Sequence, residues 1–234
     1  MSVLLLRLAG PLQAWGSAAR FVRRTTENAP TKSGVLGLLA AAEGRPREAD
    51  LSDLAALRYG VRIDQPGTRV RDFQTAHHFV SDKSMPLSER FYLADAVFVA
   101  AVEGEPDTVR RLDAAVKEPV YLPYLGRRSC PPAAPVDLGV RDDADLVTAL
   151  EQAPWQASDW YRVRAKDGGE LTLLLDSAPE QRPDLSFRDE PVSFDPRHRR
   201  YGLRGVTSRT VPVPKPAAAR QPPAHDPTSV LGTV

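Results

Sequence analysis

The sequence predicts an α+β fold, and two patterns along the chain carry this prediction. Segments typical of strands and amphipathic helices follow one another in the order strand, helix, strand, strand, helix, strand. A long polar stretch separates the second strand from the third. This order is the split β-α-β arrangement of a ferredoxin-like (βαββαβ) palm with an insertion between strands 2 and 3. The 234 residues are 42% hydrophobic, which is enough for a buried core.

The first strand and helix lie in the N-terminal quarter of the chain. Residues 2–9 are apolar and predict a buried strand. Residues 10–30 have no periodicity and predict a loop with basic side chains. Residues 31–43 place apolar side chains on one face, start at hydroxyls that can cap a helix, and precede Gly44, so they predict a helix. Residues 51–57 predict a second, short helix.

The remaining palm elements are predicted between residues 58 and 125. Residues 58–64 alternate in polarity, as a half-buried strand does. The polar residues from about 65 to 91 predict an exposed excursion, or thumb. Residues 91–102 are strongly apolar and predict a central strand, and residues 107–117 have the period of a helix. Residues 119–125 predict a short extended segment that serves as the last strand.

The C-terminal part is predicted to be β-rich. Residues 142–152 predict a helix, while 160–165 and 171–175 flank a Lys-Asp-Gly-Gly turn that is typical of a hairpin. The last residues are rich in proline and alanine and show no apolar pattern, which predicts disorder. We therefore divide the chain into a palm with its thumb at 1–140, a small β-rich C-terminal region at 141–211 and a disordered Pro-rich tail at 212–234.

Composition excludes several classes of protein. The single cysteine, Cys130, cannot form an internal disulfide or a cysteine-rich zinc site. No apolar run is long enough to span a bilayer, and no basic residues precede the first apolar segment as they do in a secretory leader. We therefore expect a cytoplasmic protein. We predict no metal or other cofactor, because no HExxH or comparable ligand spacing occurs.

Charge is unevenly distributed, although the formal net charge is only +1. Residues 1–32 have five basic side chains against one acidic, and residues 188–220 have eight against three. Of the 31 basic residues, 26 are arginine, whose planar fork suits phosphate and base stacking. A GC-rich genome also favours arginine codons. The segregation of charge nevertheless favours a polyanionic partner.

One segment combines the residue types that bind nucleic acid. Arginine holds phosphate, tyrosine stacks on an unpaired base, and glycine lets the backbone approach closely. A surface turn with two solvated arginines explains the same residues. The segment contains Tyr121, Tyr124, Gly126, Arg127, Arg128 and Ser129.

Three further features allow a functional and a structural interpretation. Lys32 and Ser33 open a helix, whose N-terminus can hold a phosphate, although ordinary capping is favoured. His77 and His78 could act on an RNA 2′-hydroxyl or bind a metal, but polar loop histidines are favoured. Cys130 lies next to arginines that could activate it as a nucleophile, but a packed small side chain is favoured.

Several ordered motifs resemble those of CasD-type subunits of type I-E CRISPR Cascade, within the repeat-associated mysterious protein superfamily. The most distinctive is Pro123-Tyr124-Leu125-Gly126-Arg127-Arg128-Ser129-Cys130-Pro131. The others are the opening segment 6–16, the helix entry 30–39, the Arg-Asp-Phe-Gln-Thr segment 71–75, the strand entry 90–96 and the Arg-Asp-Glu-Pro segment 188–191.

The resemblance implies a ferredoxin-like palm and a role in antiviral defence. It implies a single, non-catalytic copy at the foot of Cascade, which holds the 5′ handle of the CRISPR RNA. The thumb would pack against the backbone subunit (CasC), and the large subunit (CasA) would lie nearby. Handle binding is expected first from Tyr124, Gly126, Arg127, Arg128 and Ser129. Arg90 is expected at the handle–spacer junction, Arg69 and Arg71 along the thumb, and Lys32, Ser33 and Gln13 on the remaining RNA-facing surface.

Two alternatives stay open. Related subunits of subtype I-C cut precursor RNA, so the chain could be a metal-independent endoribonuclease that depends on His77 or His78. Of the five lysines, only Lys83 is near these histidines in sequence. The chain could also be a purely structural module whose basic face binds partner proteins. Trp15, in the loop after the first strand, is expected to be core.

Overall fold

A computed structural model describes residues 1–16, 23–165, 169–195, 197 and 200–214. The chain has an α+β fold with mostly antiparallel sheets, which confirms the predicted class. The helices are α1 (Lys32–Ala42), α2 (Ser52–Ala55), α3 (Pro106–Lys117), α4 (Leu146–Gln152) and α5 (Asp159–Ala165). The strands are β1 (Ser2–Ala9), β2 (Leu12–Gln13), β3 (Arg23–Arg24), β4 (Arg58–Gln65), β5 (Thr68–Gln74), β6 (Ser88–Ala94), β7 (Val97–Gly104), β8 (Asp137–Asp142), β9 (Glu170–Asp176), β10 (Leu185–Ser193) and β11 (Arg200–Pro212).

The main sheet has seven strands in the order β10-β11-β9-β4-β7-β1-β8, and neighbouring strands run antiparallel. Apolar residues of α1 and α3 cover one face of this sheet, and those of α4 cover the other. In β1, Leu4 and Leu6 face the first layer while Val3 and Leu5 face the second. Burial on both faces is why this strand is continuously apolar rather than alternating.

The predicted thumb is built on a second, smaller sheet. β5 and β6 pair antiparallel along their whole length, from Thr68 opposite Ala94 to Gln74 opposite Ser88. β2 pairs antiparallel with β6, and β3 pairs with it in parallel. Beyond β5 and β6, the chain closes in a short hairpin in which His77 bridges Ser84. The excursion is therefore a long β-ribbon.

Three predicted elements are wrong. Residues 91–102 are not one strand: they contain the end of β6 and most of β7, which belong to different sheets. The chain changes sheets at Asp95, whose φ of 55° lies in the left-handed region. Residues 119–125 form no strand, and β8 pairs with β1 in their place. Residues 160–165 form α5, so the predicted hairpin does not exist, and 166–168 of its turn lie outside the described residues.

The strands of the C-terminal region continue the main sheet. β9 pairs with β4, and β11 and β10 extend the sheet from there. β11 reaches Pro212, the first residue of the predicted tail, and residues 215–234 of that tail lie outside the described part of the chain.

A buried ion cluster joins the C-terminal strands to α1. Arg204 donates to both carboxylate oxygens of Asp189 at 2.8 and 2.7 Å and to Asp176 at 2.7 Å. Asp189 also accepts from the backbone N–H of Lys32 at 2.8 Å, which satisfies a donor in the first turn of α1. The ammonium of Lys32 lies 3.2 Å from Asp176 and 3.1 Å from Glu190. The cluster fixes where α1 begins relative to the sheet.

Candidate nucleic-acid interface

A cleft of about 930 Å³ runs along one side of α1. Its walls come from the loop after β2, the segment after α3, and the ends of β10 and β11. The lining residues that the structure describes are Ala14, Trp15, Gly16, Arg24, Thr25, Thr31, Ser33, Gly34, Gly37, Leu38, Ala40, Ala41, Arg45, Pro46, Arg47, Leu51, Tyr121, Leu122, Pro123, Tyr124, Gly126, Arg127, Arg128, Pro131, Phe194 and Tyr201.

The start of α1 forms one end of the cleft. Thr31 caps the helix and accepts from the N–H of Gly34 at 3.3 Å, so the predicted cap is confirmed. A Cβ at Gly34 would lie 2.8 Å from the ring of Trp15. Glycine at this position therefore lets Trp15 pack directly on the helix, and Trp15 is fully buried, as expected.

Gly126 lets a tight loop pack closely against the backbone of Ala14. Its φ is +82°, and a Cβ there would lie 1.9 Å from the carbonyl oxygen of Ala14. Ala14 donates to the carbonyl of Leu125 at 3.1 Å, and Leu125 donates to that of Cys130 at 2.7 Å. These bonds hold the loop in place, and only glycine fits both its backbone conformation and its close contact.

Arg127 is held by contacts on both sides. Its Nη2 donates to the carbonyl of Arg24 at 2.9 Å, and its guanidinium carbon lies 4.7 Å from the centroid of the buried Tyr92 ring. Its Nη1 is buried and has no hydrogen-bond partner among the described residues. Its neighbour Arg128 is exposed. The guanidinium of Arg127 is therefore held in place, and its Nη1 has no hydrogen-bond partner among the described residues.

The cleft is strongly basic in a chain that is nearly neutral. Five arginines line it, and its described lining residues include no aspartate or glutamate. One of the five, Arg45, forms ion pairs with the carboxylates of Glu43 at 2.6 Å and Asp53 at 2.5 Å, which neutralise its charge. The hydrogen bond from Arg45 lowers the pKa of Asp53 to about 2. Four guanidinium groups remain for an anionic ligand, those of Arg24, Arg47, Arg127 and Arg128.

Several of the predicted RNA-binding residues line the cleft, while Arg90 and Ser129 do not line it. Arg90 lies on β6 opposite Arg24, and its buried Nε has no partner among the described residues. Ser129 is exposed at the edge of the loop, with its hydroxyl 3.9 Å from the sulfur of Cys130. The predicted residues that line the cleft are Ser33, Tyr124, Gly126, Arg127 and Arg128.

Two predicted residues do not fit the interface. Lys32 is only 4% exposed, and its ammonium is already paired with the carboxylates of the ion cluster. Gln13 is completely buried: its amide nitrogen donates to the carbonyls of Leu8 and Ala96, and its oxygen accepts from the indole of Trp15. The sequence showed their polarity but not their burial, so both predictions are corrected here to structural roles.

Arg69 and Arg71 lie on β5, in the thumb ribbon and outside the cleft. Arg69 donates to the carbonyl of Thr26 at 3.0 Å and to the side chain of Asn28 at 2.7 Å. Arg71 lies 3.5 Å from Glu89, and its guanidinium carbon is 4.8 Å from the centroid of the Phe73 ring.

The histidines considered for catalysis lie at the tip of the ribbon, and the cysteine lies in the core. His77 lies 3.2 Å from the Asp82 carboxylate, and His78 accepts from the N–H of Ser81 at 3.2 Å, both at the exposed tip of the ribbon. Cys130 is buried, and this burial raises the pKa of its thiol. Among the described residues, no three metal-ligating side chains cluster, and no helix is long and apolar enough to cross a membrane.

Sequence reasoning missed three residues of the cleft. Arg47 follows α1, while Phe194 and Tyr201 lie at the ends of β10 and β11. The basic stretch 188–220 was a signal for this region, but nothing local showed that Phe194 and Tyr201 line the same cleft as Arg127.

The comparisons with known proteins agree with one another. Residues 3–207 match the family described as "CRISPR-associated protein (Cas_Cas5)". "CRISPR system Cascade subunit CasD" of Escherichia coli (strain K12) is 35% identical over 217 residues, covering 84% of this chain and 91% of that relative.

Two solved structures share the fold. One, described as "Crystal structure of Cas protein", is 37% identical with a TM-score of 0.69 and covers 91% of this chain and 98% of its own. A chain of a "CRISPR RNA-guided surveillance complex" is 31% identical with a TM-score of 0.74 and covers 92% and 95%. The chain therefore belongs to the CRISPR-associated Cas5 family, among relatives of the CasD subunit of Cascade.

Proposed function

We propose that this protein is a non-catalytic RNA-binding subunit of a Cascade complex and that its cleft holds the 5′ handle of the CRISPR RNA. The main observation is the composition of the cleft. Four arginines that have no carboxylate partner among the described residues share one concave surface with several aromatic side chains. Guanidinium groups bind phosphates, and aromatic rings stack on unpaired bases. This combination suits single-stranded RNA better than a protein surface or a small metabolite.

We infer that the palm of this protein is ferredoxin-like and that the β5–β6 ribbon is its thumb. The strand order β8-β1-β7-β4, with antiparallel neighbours, supports the first inference. In this assignment α1 and α3 are the two crossover helices. The ribbon supports the second inference, because it is inserted between the second and third palm strands, β4 and β7.

Recognition of the handle would combine contacts to phosphates with stacking on a base. Arg127, held by Tyr92 and the carbonyl of Arg24, would donate to a phosphate, and a small rotation of its side chain would give the unpartnered Nη1 an acceptor. Tyr124 would stack on a base. Gly126 brings the backbone close to the ligand, and Ser129 would add a hydroxyl. Arg90 would reach the adjoining nucleotides from β6.

The thumb is the proposed contact with the backbone subunit (CasC), and the large subunit (CasA) is expected nearby in a complex that contains one copy of this chain. The ribbon exposes large apolar side chains that the monomer leaves uncovered, including Phe73, Phe79, Val80, Met85 and Leu87. Such a patch is typical of a protein–protein contact.

The test measures the binding of labelled CRISPR repeat RNA in EDTA across a salt series, with the protein alone and in its reconstituted complex. We expect salt-sensitive binding of intact RNA. Arg127→Ala should weaken binding about 10- to 100-fold, because a hydrogen bond to a charged group contributes about 1.5–3 kcal/mol. It should also make binding less sensitive to salt, because one phosphate contact is lost.

Arg141→Ala is the matched control, because Arg141 is an exposed arginine on β8 that does not line the cleft. Equal effects of Arg127→Ala and Arg141→Ala would contradict the assigned site. RNA fragments that disappear with His77→Ala or His78→Ala would show an endoribonuclease instead. Protein binding without any salt-dependent RNA binding, in both preparations, would indicate a structural module.

A further inference from the structure

We propose that the end of the cleft formed by β10 and β11 is a second nucleotide subsite, in which Tyr201 and Phe194 receive an unpaired base and Arg47 lies near its phosphate. This inference rests on the function proposed above and extends the handle site across α1. It concerns residues that neither the motifs nor the composition singled out.

The aromatic pair is anchored rather than free. The ring centroids of Phe194 and Tyr201 are 6.2 Å apart, and their planes are inclined by 54°. Phe194 packs on α1 at Gly37, where a Cβ would lie 3.7 and 3.8 Å from two atoms of the Phe194 ring. Both rings are half-buried and line the cleft. A base that stacks on a fixed ring costs less entropy than one that must first order a mobile side chain.

The pair is continuous with the site around Arg127. Both ends belong to the same cleft, and α1 lines it from Gly34 to Ala41, with Gly37 and Ala40 among the lining residues. At about 1.5 Å per residue, this helix face is about 10 Å long. Stacked nucleotides are about 3.4 Å apart along a strand, so the face spans about three of them. One RNA strand can therefore reach both ends.

The charge around the pair favours RNA over protein. Arg47 lines the cleft, is exposed, and has no ion-pair partner among the described residues. Arg197, in the connection between β10 and β11, and Arg200, the first residue of β11, are both exposed. The nearest carboxylate in sequence, Asp195, accepts from the backbone N–H of Arg197 at 2.8 Å and does not line the cleft. Aromatic rings beside unpaired arginines are typical of single-stranded nucleic-acid sites.

The experiment compares Tyr201→Ser with Tyr201→Phe in the full chain, alone and in the reconstituted complex. Repeat RNAs carry 2-aminopurine at successive handle positions, since stacking on an aromatic ring quenches its fluorescence. We expect Tyr201→Ser to weaken binding about 5- to 100-fold, the range for one lost base–aromatic stack. It should restore fluorescence at a position that Arg127→Ala does not affect, and Tyr201→Phe should behave like the unaltered protein.

Leu203→Ser is the matched control, because Leu203 is exposed on the same strand and does not line the cleft. Thermal unfolding of each variant separates lost binding from lost folding. If Arg127→Ala weakens binding but Tyr201→Ser changes neither affinity nor fluorescence, the second subsite is wrong and the proposed function stands. If the unaltered protein binds no RNA in either preparation, the proposed function fails as well. Loss of a protein partner with unchanged RNA affinity would assign this surface to that partner.

Discussion

Gly126 is the residue whose chemistry most tightly constrains the interface. A side chain there meets two separate obstacles, the positive φ of +82° and the Ala14 carbonyl oxygen at 1.9 Å from a Cβ. The first is a property of the backbone, and the second depends on how the loop packs. The sequence shows a glycine beside two arginines, but only the packed structure shows why no other residue fits.

Gly126→Ala should therefore destabilise the protein and weaken RNA binding together. Backbone strain alone costs about 1–2 kcal/mol, and the contact with Ala14 adds to it by displacing the loop. Gly139→Ala provides the control: Gly139 has a φ of +83°, but its Cβ would have its nearest neighbour at 3.8 Å. Urea unfolding of both variants measures the difference. An equal loss of stability would show that the contact with Ala14 is unimportant.

Burial also decided the roles of individual polar residues. Lys32 opens a helix in a basic region, so its sequence context favours an anion site, yet three carboxylates reach this helix start from distant strands. The alternation of residues 58–64 predicted a half-buried strand, yet Arg62 on this strand is fully buried against Asp64. The partners of Lys32 lie far along the chain, and so do the residues that cover Arg62. A local sequence pattern therefore could not predict either outcome.

At the level of elements, helix caps and strand ends position the walls of the cleft. Asp189 caps α1 from β10, more than 150 residues away in sequence. The α1 wall therefore depends on the C-terminal strands as well as on its own cap at Thr31. This coupling explains why Phe194 and Tyr201 can form a fixed surface opposite Arg127: the strands that carry them are tied to the same helix.

Asp145 gives a pH-dependent test of a simpler cap. It accepts from the N–H groups of Thr148 and Val147, and the bonds from Thr148 lower its pKa below the ordinary value of 3.8. A carboxyl group whose pKa is lower in the folded protein than in the unfolded protein stabilises the fold at pH values above the unfolded-state pKa. This stabilisation is lost as the pH falls through the folded-state pKa. Asp145→Ala should cost about 1 kcal/mol near neutral pH.

That cost should shrink as the pH falls below 3.8, because the protonated carboxyl is a weaker acceptor. Urea unfolding of both proteins at neutral and acidic pH measures it. Glu151→Ala is the control, since Glu151 is an exposed carboxylate on the same helix but outside its cap. A difference that stays constant with pH would show that the charge of Asp145 does not contribute.

The polar stretch after β4 predicted an excursion, the proposed thumb, but it did not predict the β5–β6 ribbon. Residues 68–87 alternate weakly because β5 and the tip of the ribbon are largely exposed, so no apolar period marks this part of the ribbon. The helix α5 was mistaken for a strand for a related reason. None of the residues of α5 is buried, so its sequence has no apolar face with the period of a helix.

At the scale of the whole molecule, the thumb should matter for assembly and not for folding. Phe79 and Val80 are almost fully exposed at the tip of the ribbon. Replacing both with serine should change the free energy of unfolding by less than about 0.5 kcal/mol. The same variant should fail to assemble with the backbone subunit, as measured by co-purification and size-exclusion chromatography.

Val163→Ser is the control for that experiment, because Val163 is a similarly exposed apolar residue on α5. Assembly of the thumb variant at the level of this control would reject the proposed contact. A large loss of stability would instead show that the tip packs within the monomer.

The sequence by itself determined the class of fold, the bounds of β1, α1, α3 and β4 to within two residues, and the motif around Gly126 and Arg127. These features depend on neighbours in sequence: periodicity, caps and local backbone conformation. Tertiary structure alone decided that β9, β10 and β11 extend the main sheet, that Lys32 and Gln13 are buried, and that Phe194 and Tyr201 line the same cleft as Arg127. Those outcomes depend on which distant segments pair and cover one another, and no local pattern records that choice.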